Sequence, residues 1–151
     1  MKHAQPKATS AKLTQLRARL EQAFHGDTAA PGTDSSIPSA GHCAAVSAIV
    51  QAEFGGDFVS AVVEGQSHWF NRLEVGRRVC DVDLAGDQFA GVEPVRIVRA
   101  GELYDPTRVR TPEQLNDETL RRALLLATRA GLPDAALKLS ARLLSRELAA
   151  A

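Results

Sequence analysis

Cys43 draws attention by its position. It follows Ser39-Ala40-Gly41-His42 and opens a run, 43–54, whose apolar pattern predicts a helix. In a first helical turn, unpaired backbone N–H groups and the positive end of the dipole favour the thiolate, the nucleophilic form of cysteine. A free cysteine among alanines is also a small buried hydrophobe, and that is the plain alternative. His68 starts an apolar strand pattern with Trp69 and Phe70, where a buried imidazole needs a hydrogen-bonding partner. Its alternative is a purely structural histidine. In Cys80-Asp81-Val82-Asp83-Leu84, the carboxylates of Asp81 and Asp83 project from one face of a strand. If the strands of His68 and Asp83 are neighbours, a carboxylate on one reaches the imidazole on the other, setting its tautomer and stabilising its charged form. These residue types then permit a Cys-His-Asp relay for attack on an acyl carbon. The competing reading leaves Asp81 and Asp83 solvated beside Arg72, Arg77 and Arg78.

His42, Cys43, His68 and Asp83 also include the nitrogen, sulfur and oxygen donors that suit zinc. Adjacent side chains such as His42 and Cys43 seldom converge on one ion, and Cys80 falls on the strand face opposite Asp83, so neither a metal nor another cofactor is expected. Cys43 and Cys80 stand 37 positions apart without a CxxC pair, which predicts two free thiols in a reducing compartment.

Leu13, Leu16, Leu20 and Phe24 share one stripe of a helix over 11–24, capped by Thr9 or Ser10. The Gly, Pro, Ser, Thr and Asp content of Gly26 to Ala40 reads as a loop delivering the chain to Gly41. The helix at 43–54 is apolar nearly all round and ends at Gly55-Gly56, which predicts burial. Three short strands, 58–63, 68–73 and 77–84, are joined by Gly65-Gln66 and Glu74-Val75-Gly76 as an antiparallel meander, with a fourth at 95–98. Trp69 and Asn71 face away from His68 and Phe70, so the sheet needs cover on both sides, which the terminal helices could supply. Thr111-Pro112-Glu113-Gln114 reads as a helix start and Asn116-Asp117 as a restart of a longer helix through Leu120, Leu124 and Leu125. Gly131 stops it, and Pro133 opens a last helix that closes a helical hairpin. The layout is α+β with segregated classes: a disordered tail over 1–8, a domain over 9–130, and a C-terminal helix over 131–151 packed on or extending it.

The 151 residues carry 18 positive and 18 negative side chains, the size of one domain without the footprint of a polyanion binder. Arg121, Arg122 and Arg129 lie close to Glu102, Glu113, Asp117 and Glu118, a mixed solvated face, so no nucleic-acid partner is expected. Hydrophobic residues at 44% and charged ones at 24% exclude bulk disorder. No apolar run approaches the roughly 20 residues that span a bilayer, and no signal-peptide pattern follows Lys2 and Lys7, so the expectation is a cytoplasmic protein without membrane contact. The oligomeric state is not legible.

Gly41-His42-Cys43, Phe54-Gly55-Gly56-Asp57, His68-Trp69-Phe70-Asn71-Arg72-Leu73, Asp83-Leu84 and Gln88-Phe89 together resemble the motifs of the small bacterial YunG-like proteins, which look like reduced papain or transglutaminase-type cores. The likeness is close over residues 41–90, weaker over 108–130, and absent from the N-terminal loop and the final hairpin. It implies Cys43 as nucleophile, His68 as base and Asp83 as orienting acid, with Asn71 and Gln88-Phe89 supporting them. His42 stands where those proteins have a glutamine that helps form an oxyanion hole, and Ala85 where they have a threonine. His42 is therefore expected to donate to an oxyanion with the Cys43 backbone N–H. The functional expectation is a thiol hydrolase or acyltransferase acting on an amide, isopeptide or thioester of a protein or peptide. The alternative, favoured by His42, is an inactive binding module on the same fold.

Overall fold

In the computed structural model, which describes residues 5–33, 39, 41–89 and 91–151, the chain runs α1 (Ser10–Ala23), α2 (Cys43–Phe54), β1 (Asp57–Val63), β2 (Gln66–Val75), β3 (Arg78–Asp83), β4 (Arg96–Arg99), β5 (Thr107–Arg110), α3 (Asp117–Arg129) and α4 (Pro133–Ala150). Short 3-10 turns occupy Gly86–Gln88 and Pro112–Gln114. The class is α+β, as the sequence suggests, and all neighbours in the sheet order β4-β3-β2-β1-β5 are antiparallel.

α2 is apolar on every side because it is enclosed on every side. Ala45, Val46, Ala48, Ile49, Val50 and Ala52 are buried between β2 and the helices α3 and α4. α1 adds Leu13, Leu16 and Leu20 to this core, while α3 adds Leu120 and Leu126. Local signals set the ends. The Thr9 hydroxyl accepts from the Lys12 N–H at 3.1 Å, the Asn116 side-chain Oδ1 accepts from the Thr119 N–H at 2.7 Å, and α3 closes through Leu132 N–H to Ala127 carbonyl at 3.0 Å around a left-handed Gly131 (φ 71°). Gly56 (φ 85°) leads α2 into β1 where the backbones nearly touch; a Cβ there would lie 2.7 Å from the Arg72 carbonyl oxygen.

Four features differ from the sequence reading. The sheet has five strands, because Thr107–Arg110 pairs with β1. Three of its four residues are polar, which suits an edge but hides the apolar alternation that marks a strand. The hairpin turns fall at Glu64-Gly65 and Gly76-Arg77, each sharing one glycine with the expected Gly65-Gln66 and Glu74-Val75-Gly76 but displaced from it. Pro112–Gln114 makes one capped 3-10 turn instead of opening an α-helix. Finally, the terminal helices do not cover the second sheet face. α1, α3 and α4 share the α2 side, while Val59, Ala61 and Phe70 on the other face are closed by Leu103 and Tyr104.

Ala8 is buried and its carbonyl accepts from the Gly76 N–H at 3.0 Å, so the chain joins the core within the expected tail. Residues 1–4 of that tail, and 34–38 and 40 of the expected loop, lie outside the described residues. α4 packs on the domain through Ala135, Leu139 and Leu143. No helix among the described residues is long and apolar enough to cross a membrane.

Candidate functional site

Cys43 is the first residue of α2, and its half-buried thiol lines a cleft of about 480 Å³. His68 lies on β2 with its side chain fully buried. Its Nε2 is 2.7 Å from Asp83 Oδ2 on β3, the antiparallel neighbour. Burial pushes the Cys43 thiol up, but its hydrogen bond to His68, the imidazolium charge and the Trp69 backbone outweigh that and hold it below the ordinary thiol range. Burial likewise opposes charge on His68, yet hydrogen bonds to Asp83 and Cys43 overcome it and the imidazole is pushed up to about 9. The pair therefore favours thiolate and imidazolium together.

The two strand carboxylates have separate duties. Asp81 is fully buried and pairs with Arg72 Nε at 2.7 Å, also accepting the Gly101 N–H at 2.8 Å. Asp83 holds His68, and neither carboxylate is solvated. Asp83 Oδ1 accepts the Ala85 N–H at 3.0 Å, and Oδ2 also accepts the Tyr104 hydroxyl at 2.7 Å. Gly86 permits this crowding, since a Cβ there would sit 2.6 Å from Asp83 Oδ2. Phe89 and Tyr104 meet the His68 ring edge-on at 5.0 and 5.5 Å, which excludes water from it. Tyr104 was not legible as a site residue: it comes from the loop after β4, whose sequence carries no pattern tying it to Asp83.

Gln88 is brought to the same ring. Its Oε1 accepts the Gly41 N–H at 3.2 Å, so its amide N–H faces His68 Nδ1 at 2.8 Å. A neutral ring accepts that donor at Nδ1. The segment bearing Gln88 is fixed from behind by Arg17 of α1, which donates to the Leu84 carbonyl at 2.7 Å and to both Asp87 oxygens at 2.8 Å.

Two expected residues stand elsewhere. His42, expected as an oxyanion donor, does not line the cleft. Its ring is buried against Phe24 at 4.3 Å, with Nε2 2.7 Å from the Thr28 hydroxyl. That hydroxyl gives its only proton to the His25 carbonyl, so His42 is the donor. Asn71 sits on the α2 side of the sheet and donates to the Ser47 carbonyl at 3.0 Å, fastening β2 to the helix that carries Cys43. Cys80 lies on that side too, with its thiol near the Arg78 carbonyl at 3.6 Å. Among the described residues no group of three or more His, Cys, Asp or Glu is arranged to hold a metal ion.

No curated protein and no solved structure matches the chain. The family model described as YunG protein matches residues 12–131, from α1 through α3, and so begins well before the motifs over 41–90. By that match the chain belongs to the YunG protein family.

Proposed function

We propose that the protein is a cysteine-dependent acyl-transfer or hydrolytic enzyme with Cys43 as nucleophile, His68 as acid and base, and Asp83 as the group that orients and charges His68. The observation that carries this reading is the fully buried imidazole held at 2.7 Å by Asp83 on one nitrogen and coupled to the Cys43 thiol. A cysteine at a helix N-terminus with histidine and aspartate on adjacent strands resembles a reduced papain or transglutaminase-type core.

In this mechanism the Cys43 thiolate attacks the carbonyl carbon of an amide, isopeptide or thioester, and the carbonyl oxygen takes the electron pair. The Cys43 backbone N–H, at the start of α2 and without a partner among the described residues, is one donor for that oxyanion. The Gln88 amide, which lines the same cleft, is the second, taking the place expected for His42. As the C–N or C–S bond breaks, His68 gives its proton to the leaving group. Water or an amine then attacks the thioester, His68 accepts the proton, and the thiolate leaves.

The Gln88 amide resting on Nδ1 is the observation that favours the second reading, a binding module without turnover. Iodoacetamide alkylation separates the two. The enzyme reading expects Cys43 to be modified fast well below pH 8, at least tenfold slower in His68→Ala, with Cys80 slow throughout. Equal, slow rates at both thiols would overturn it.

A further inference from the structure

Among the described residues, two charged side chains line the cleft at Cys43, Glu64 and Arg122. Arg122 donates to the Thr119 hydroxyl at 3.0 Å and the Gly41 carbonyl at 3.5 Å, and its Nε, buried without a hydrogen-bond partner among the described residues, lies 4.0 Å from Glu118. Glu64 makes no hydrogen bond or ion pair among the described residues. Its backbone is as unusual as its isolation. Glu64 and Gly65 form the two-residue turn between β1 and β2 with φ of 50° and 77°, and Glu64 is the one non-glycine residue with positive φ among those described. Such a turn takes Asn, Asp or Gly in its first position, and a glutamate there is strained. Strain of this kind, at the rim of a cleft with a candidate nucleophile, points to a ligand contact.

Resting on the acyl-transfer reading, we infer that Glu64 makes this cleft select peptides with a cationic side chain, lysine or arginine, beside the bond under attack. Its carboxylate, exposed and without an ion pair among the described residues, attracts an ammonium or guanidinium and repels an acidic side chain. The cleft volume of about 480 Å³ suits a short peptide segment and lies within the ordinary range for ligand sites.

The test uses two thiol reagents of equal chemistry and opposite charge, cationic 2-aminoethyl and anionic 2-sulfonatoethyl methanethiosulfonate, with rates read at Cys43 by peptide mapping of the full chain. Glu64→Gln lowers the cation-to-anion rate ratio by up to about fivefold at low salt, the size expected of one exposed charge. Glu64→Lys lowers it further, and 0.5 M salt shrinks the wild-type preference, a value about threefold above physiological ionic strength. Glu64→Gly lowers the ratio like the glutamine variant, but it also raises the thermal midpoint by about 2–4 °C as the left-handed strain is relieved. A ratio unchanged in Glu64→Gln and Glu64→Lys overturns the inference. The ratio is readable however slow Cys43 is, so a sluggish thiol sinks the enzyme reading alone, and an unmoved ratio sinks the charge preference alone.

Discussion

Asp83 decides the protonation of its neighbours. The folded protein binds the His68 proton more tightly than the unfolded chain, since the imidazole rises from 6.5 to about 9. That contribution to stability is whole below pH 6.5 and is lost as pH rises through about 9. Asp83→Asn removes the acceptor charge but leaves the burial, so the His68 imidazole falls below its ordinary value and the Cys43 thiol rises. Histidine NMR titration of the variant checks this, and its unfolding free energy loses the decline between pH 7 and 10. A His68 still titrating near 9 in Asp83→Asn would refute the assignment. The grouping of Cys43, His68 and Asp83 was readable because strand alternation and a short turn constrain where side chains point. Tyr104 was not readable, since a loop residue reaches its partner through tertiary closure. His42 was misplaced for a related reason: adjacency to Cys43 says nothing about which side of the helix entry its ring takes.

The segment between β3 and β4 is positioned by an element far away in sequence. Arg17 projects from α1, is almost wholly buried, and grips Asp87 and the Leu84 carbonyl. Removing it leaves a carboxylate without its counter-charge, so Arg17→Met costs about 3 kcal/mol in urea unfolding, and Arg17→Met with Asp87→Leu recovers part of that. Gly86 on the same segment faces the opposite problem. Gly86→Ala drives a methyl against Asp83, so Cys43 alkylation at pH 7 slows while α-helical circular dichroism is unchanged. The elements themselves were mostly legible: α2 ends where Gly55-Gly56 predicts, and α3 stops at Gly131. β5 was not, because Thr-Arg-Val-Arg shows an edge strand's charges and too few apolar positions to mark a buried face.

At the scale of the molecule, the family match ends at residue 131, yet the core continues beyond it. Leu139 of α4 is fully buried against α2 and α3, and Leu143 lies beside it. Leu139→Ala costs about 3 kcal/mol, a fall of about 6–12 °C in thermal midpoint by calorimetry. The α+β class and the helical hairpin followed from periodicity, whereas the one-sided placement of all four helices did not. Which sheet face a helix covers depends on crossover geometry that apolar spacing leaves open.

The turn at Glu64-Gly65 and the stretch over 30–33 form much of the opening around Cys43, yet most of their residues lie outside both apolar clusters. Surface segments of this kind tolerate changes in length and composition far better than packed ones. What the opening admits can therefore be rewritten by exchanging two short stretches of chain, while the sulfur, the imidazole and their acid stay on a helix and strands that neither stretch builds.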